Sequence, residues 1–203
     1  MRRSGLTGAL VGAAALALTG CGAGADEEAV VEETSAAAGA GVGSTATLQD
    51  AEGGDVGTVS FSEVSAGTEV VAEVQGLEPG FYGLHVHGTG LCEPDSAAPD
   101  DPGSTGAFLS AGGHLGGDEA EHPQHAGDLP SLYVTEGGLG HLTTVTDRFA
   151  VQDLADDDGS AVMIHSGPDN YANIPERYAP DGPDEVTLGT GDAGSRLACG
   201  VVE

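Results

Sequence analysis

Between residues 58 and 75, apolar and polar side chains alternate with a period of two. Val59 and Phe61 are interleaved with Thr58, Ser60 and Ser62, and Val70, Ala72 and Val74 share one face while Glu69, Glu73 and Gln75 take the other. Successive side chains of a strand project to opposite faces, so the pattern predicts half-buried antiparallel strands. Leu77-Glu78-Pro79-Gly80 punctuates the run, and residues 81–87 predict the next strand. Further strands are expected at 131–134, 141–145, 161–165 and 196–202, with no convincing amphipathic helix between them. Short strands and Gly-rich turns argue for an all-β sandwich or barrel. Two long segments, 88–130 and 166–195, interrupt this pattern and are dense in Gly, Pro and Asp. Loops of that length in a compact domain are either functional or disordered, and the first holds three of the seven histidines, so function is expected of it.

The first forty residues follow a different logic. Residues 1–20 open with Arg2 and Arg3 and continue into an apolar run from Leu6 to Leu18, too short to span a bilayer, which predicts a removable export signal. The run ends in Leu18-Thr19-Gly20-Cys21 and resembles a bacterial lipoprotein signal, which implies a lipid on Cys21. An ordinary secretory signal with Cys21 as a bystander is the plainer alternative. Residues 21–43 are mostly Ala, Gly and Glu with no aromatic residue, as in a flexible, self-repelling tether. Residues 44–203 are the length of one domain with an adequate core.

Charge narrows the partners. There are 33 acidic residues against five arginines and no lysine, a formal net charge of −28. That balance excludes nucleic acid and anionic lipid surfaces, so any membrane association has to come through the lipid on Cys21. A solvated acidic surface is the simplest reading; adaptation to high salt is a second. With Cys21 assigned to lipid, Cys92 and Cys199 remain as the intrachain pair, and outside the cytosol they should be oxidised. Closing a loop of about 100 residues would constrain the unfolded chain by roughly 4–5 kcal/mol.

The histidines carry the chemistry. His85 and His87 stand two apart in a predicted strand and so project from one face, roughly 7 Å apart. Taken alone, such a pair is more often two surface imidazoles than a ligand set. Yet His114 follows two glycines, His122, His125 and Asp128 lie within seven residues of a Gly-rich loop, and His165 ends another predicted strand. His141 sits alone in a strand and reads as structural. Neutral imidazole suits copper and zinc, and an aspartate beside histidines suits zinc. One ion is therefore expected at His122, His125 and Asp128, a second at His85, His87 and His165, with His114 between them.

Together these strings resemble the copper, zinc superoxide dismutases of the bacterial type. The motifs are Gly83-Leu84-His85-Val86-His87, Gly112-Gly113-His114, His125-Ala126-Gly127-Asp128-Leu129-Pro130, Val162-Met163-Ile164-His165 and Gly194-Ser195-Arg196-Leu197-Ala198-Cys199-Gly200. The resemblance implies a Greek-key β-sandwich, or flattened eight-stranded barrel, with two long functional loops. It implies copper at His85, His87, His114 and His165, and zinc at His114, His122, His125 and Asp128, with His114 shared. Asp169 matches the carboxylate that orients one histidine of each metal, Arg196 the cation that docks superoxide, and Cys92–Cys199 the family disulfide. The implied activity is dismutation of superoxide to dioxygen and hydrogen peroxide, in which Arg196 and His114 take part, outside the cytoplasm and on the cell envelope. Such relatives often carry lysines that steer superoxide, and this chain has none. A non-catalytic copper- or zinc-binding member of the fold is the rival reading; it would be expected to lack a ligand or the arginine, and neither is missing. An ordinary zinc hydrolase needs an open water position that a closed zinc set does not offer. The oligomeric state is left open, a homodimer included.

Overall fold

The computed structural model describes residues 43–203. The expected signal, the lipid site at Cys21 and the tether lie outside the described residues, apart from Gly43, which opens the first strand. The strands in chain order are β1 (Gly43–Asp50), β2 (Asp55–Val64), β3 (Gly67–Gln75), β4 (Gly80–Tyr82), β5 (Leu84–His87), β6 (Ser96–Ala97), β7 (Thr105–Gly106), β8 (Leu132–Val134), β9 (Leu139–Thr146), β10 (Ala161–His165) and β11 (Arg196–Val201). Nine of them form one antiparallel sheet in the order β4-β8-β9-β3-β2-β1-β11-β10-β5. Its two ends, β4 and β5, are consecutive in the chain and separated only by Gly83, so the sheet nearly closes into a barrel. The links from β3 to β4 and from β9 to β10 jump across intervening strands, as in a Greek key.

The period-two pattern translates directly into burial. Val59, Phe61, Val70, Ala72 and Val74 point into the core with Leu48, Leu84, Val86, Leu132, Val162 and Ile164. Three sequence expectations need correction. The single strand at 81–87 divides at Gly83, which makes nine strands rather than eight; a Cβ at Gly83 would stand 2.7 Å from that of Ala193, so only glycine lets the chain pass from one end of the sheet to the other there. β1 went unpredicted because Ala46 is its only apolar inward neighbour to Leu48, a weak alternation, yet it pairs with β2 along most of its length. A short helix, α1 (Glu185–Thr190), lies in the second long loop, where Asp184 caps it by accepting from the Thr187 N–H at 2.9 Å.

The first long loop is pinned to the barrel. Cys92 and Cys199 form a disulfide that ties the loop to β11, beside buried Phe108 and Met163. The small β6–β7 ribbon closes the loop's outer part. A disulfide belongs to an oxidising, extracytoplasmic setting. His141, expected to be structural, is exposed on β9, with Glu73 3.8 Å away.

Candidate metal centre

β5 is buried on both faces, so its four residues divide their duties. Leu84 and Val86 join the core, while His85 and His87 face the other way. In register beside them, β10 delivers His165. The loop supplies the rest: His114 forms a β-bridge with His87, and Asp128 one with His85. Donor atoms of His85, His87, His114 and His165 all lie within 4.8 Å of one another, and so do those of His85, His114, His122 and Asp128. His125 stands as close to the second group, its Nδ1 being 3.3 Å from both His114 Nδ1 and Asp128 Oδ1. Every candidate ligand named from the sequence is thus brought into one buried cluster.

Backbone carbonyls tie off one nitrogen of His87 and one of His165. His87 donates Nδ1–H to the Gly112 carbonyl at 2.9 Å, and His165 donates Nδ1–H to the Gly194 carbonyl at 3.3 Å. Their Nε2 atoms then face each other at 3.4 Å. Asp169 accepts from His85 Nε2 at 2.9 Å and from His122 Nε2 at 2.8 Å, so one carboxylate orients a histidine on each side. His85 Nδ1 is buried without a hydrogen-bond partner, whereas His122 Nδ1 faces Asp128 Oδ2 at 3.0 Å. Buried lone pairs without donors are costly unless something outside the protein completes them. Zinc–nitrogen bonds of about 2.0–2.1 Å in a tetrahedral site set neighbouring nitrogens about 3.3 Å apart, the separation found between His114 and His125. The donor sets therefore fit two metal ions.

Electrostatics point the same way. Burial keeps the imidazoles neutral, the form that ligates: it lowers His87 well below its ordinary 6.5, His85 to about 4 and His165 to about 3, and it lowers His125 as well. At His122 burial pulls downward too, but the hydrogen bonds and charges of Asp128 and Asp169 outweigh it and raise the group to about 9. One imidazole set between two carboxylates is a place that favours positive charge. Burial would raise Asp128 and Asp169, yet hydrogen bonds from His114 and His122 to the first, and from His122, His85 and the Tyr171 N–H to the second, hold both well below the usual carboxylate range.

A cavity of roughly 400 Å³ opens onto His87, His114 and His165 and is lined also by Arg196 and by α1 residues Val186, Gly189 and Thr190. Arg196 is held by donating to the carbonyls of Phe108 and Gly112, the latter shared with His87. Arg196 is half-buried, and burial lowers its pKa. Sequence reasoning missed the two carbonyls, because backbone acceptors leave no mark on residue type. It also missed Tyr171, whose N–H reaches Asp169 Oδ1 at 2.7 Å from a left-handed backbone, and Gly191, discussed below.

The family model "Copper/zinc superoxide dismutase (SODC)" matches residues 56–202. Superoxide dismutase [Cu-Zn] of Mycolicibacterium paratuberculosis is 45% identical over 166 residues, covering 78% of this chain and 73% of its own. The protein of that name in Escherichia coli is 33% identical over 157 residues, covering 74% and 80%. Among solved structures, the Cu/Zn superoxide dismutase from Brucella abortus matches with a TM-score of 0.60 at 31% identity, over 80% of this chain and all of that one. A SOD-like protein from Bacillus subtilis matches with a TM-score of 0.58 at 26% identity, over 77% and 96%. With a match that runs from β2 to the end of β11 and takes in every residue of the histidine cluster, the chain belongs to the copper/zinc superoxide dismutase family.

Proposed function

We propose that the chain dismutes superoxide outside the cytoplasm, using copper held by His85, His87, His114 and His165 and zinc held by His114, His122, His125 and Asp128. The observation that carries this reading is the convergence of two donor sets, His85, His87, His114 and His165 in one and His85, His114, His122 and Asp128 in the other, each with its donor atoms within 4.8 Å of one another, and of Asp169, which accepts from both His85 and His122. When bound, copper supplies reversible one-electron chemistry and zinc a fixed charge that does not change oxidation state. The protein's residues do the rest. Asp169 fixes which nitrogen of His85 and of His122 is free. Arg196, at the cavity wall, attracts and orients the anion. His114 takes part in both donor sets and borders the cavity, so it is placed to hold a proton and pass it on. Balance requires that one superoxide give up an electron and leave as dioxygen. A second takes that electron with two protons and leaves as hydrogen peroxide.

Residues 1–20 as signal, Cys21 as lipid acceptor and 21–43 as tether would hold the domain at the outer face of the cell membrane. Mass spectrometry of the membrane-bound protein reads the lipid on Cys21 directly. The central test is metal analysis joined to a superoxide assay. One copper and one zinc per chain with activity is the expected result; metal-loaded protein without activity would overturn the enzyme reading. Arg196→Ala should keep its copper and lose roughly tenfold or more in rate, the scale of local electrostatic attraction. An unchanged rate would remove Arg196 from its role.

A further inference from the structure

Residues 121–128 carry three of the proposed zinc ligands but have no regular secondary structure. The His122 N–H donates to the Leu188 carbonyl at 2.7 Å, and Gly127 is stitched to Val86 and Leu115. Between these ties lie Pro123, Gln124 and His125, and a cleft of roughly 530 Å³ is lined by Pro123 and Asp128 from the loop and by Thr144 and Thr146 of β9, with Arg148 beside them. Beyond the burial of His122 and His125, the loop is tied to the end of β9 by Arg148, whose Nη1 donates to the Pro123 carbonyl at 2.6 Å and to the His125 carbonyl at 3.1 Å.

Arg148 is well placed to act as an anchor. Its own N–H donates to Thr146 Oγ1 at 3.2 Å, at the end of β9. The next residue, Phe149, is buried in the core against Phe61, and its carbonyl accepts from buried Thr68 at 2.9 Å. A guanidinium with two N–H bonds on one nitrogen can grip two carbonyls at once, which an ammonium on a shorter stem does poorly. In a chain with 33 acidic residues, Arg148 has no carboxylate within ion-pair distance among the described residues. At its other end the His125 peptide is fixed too, since the His125 N–H donates to Asp128 Oδ2 at 3.0 Å.

We propose that Arg148 is a positioning residue for the zinc end of the site, clamping residues 123–125 to the barrel so that His122 and His125 converge on Asp128. The inference rests on the zinc assignment above, and its sign is diagnostic. Removing a cation from a strongly acidic protein should, by charge alone, make a bound dication leave more slowly. Loss of the clamp should make it leave faster.

The test measures zinc release into a chelator from the full, metal-loaded chain. Arg148→Ala should release zinc about tenfold faster or more, the usual cost of losing an outer support of a metal site. Arg148→Lys should recover only part of the loss, and added methylguanidine should slow release from the alanine variant. Amide exchange should rise in residues 121–128 and stay level in β3 and β9. Release within twofold of the parent, slower release, an equal acceleration in Arg177→Ala, or exchange rising throughout the barrel would each overturn the proposal. A parent chain that holds no zinc, or Asp128→Ala that keeps it, would instead bring down the zinc assignment and leave nothing for Arg148 to position.

Discussion

Within each buried histidine the two ring nitrogens answer to different partners, and this division gives the metal-free protein an unusual pH profile. His85 and His165 have folded pKa values of about 4 and about 3 against 6.5 unfolded, and His87 and His125 are lowered too. Below about pH 6.5 the unfolded chain therefore binds protons that the folded chain refuses, so stability falls on acidification. For His85 alone the loss down to about pH 4 is ~3 kcal/mol. His122, raised to about 9, acts with the opposite sign: its contribution is complete below 6.5 and is lost as pH rises through about 9. The metal-free protein should then be most stable near pH 6.5 and lose stability on both sides, which thermal melts across that range would read. Bound metal should flatten the curve. Asp192 is the acidic residue that lines the cavity with Arg196; its Oδ2 accepts from Asn170 Nδ2 at 2.6 Å and Thr187 Oγ1 at 2.9 Å. Asn keeps an oxygen for both donors and removes the charge. Removing one negative charge from the cavity lining takes away a repulsion of the anion, so Asp192→Asn should raise the dismutation rate, which a superoxide assay would read. The clustering histidines and Asp128 could be read from sequence because imidazole and carboxylate are named by residue type. Their supports, the carbonyls of Gly112, Gly194 and Phe108, could not.

At the level of elements, β2, β3 and β10 were visible because β-branched and aromatic residues alternate with polar ones, or run together where both faces are buried. β1 was hidden by its small apolar residues, and α1 by its brevity: six residues carry too little periodicity to register, and only the Asp184 cap announces it. That helix is docked on the metal centre through Gly191, whose positive φ and position leave no room for a side chain. A Cβ there would lie 2.5 Å from His122 Nε2 and nearer still to Asp169 Oδ1. Gly191→Ala should therefore cost more than the ~1 kcal/mol of backbone strain alone, and should loosen His122 along with α1. Denaturant melts with zinc-release measurements would show both effects together. The disulfide does comparable service for the first loop. It joins residues 107 apart, so Cys92→Ser with Cys199→Ser should lower stability by roughly 4–5 kcal/mol in the chain-entropy model. Because the Phe108 and Gly112 carbonyls that seat Arg196 lie in the same loop, activity should fall further than copper content does. Equal falls would mean that the loop seats Arg196 without the disulfide.

Over the whole molecule, charge decides how substrate arrives. Beyond Arg2 and Arg3 the sequence has three cations, Arg148, Arg177 and Arg196, against 33 acidic residues. Arg148 lines a different cleft and Arg177 lies over the Tyr178 ring at 4.6 Å, whereas Arg196 lines the cavity that opens onto His87, His114 and His165. At low ionic strength the long-range field of such a chain repels an anion, and Arg196 can attract only within a short distance. Added salt shortens the Debye length from ~10 Å at 0.1 M to ~3 Å at 1 M, so it screens the distant acids before it screens Arg196 at close quarters. The rate should then rise or hold level as salt is added, whereas an enzyme that steers its substrate with a ring of lysines slows. The same screening relieves the acids' mutual repulsion, so the melting temperature should climb over that range. The two readings check each other. If the rate falls steeply while the melting temperature climbs, the acids are screened as argued, but some cation other than Arg196 guides the approach. If neither responds, the acidic residues are spread too widely over the surface to act as one field.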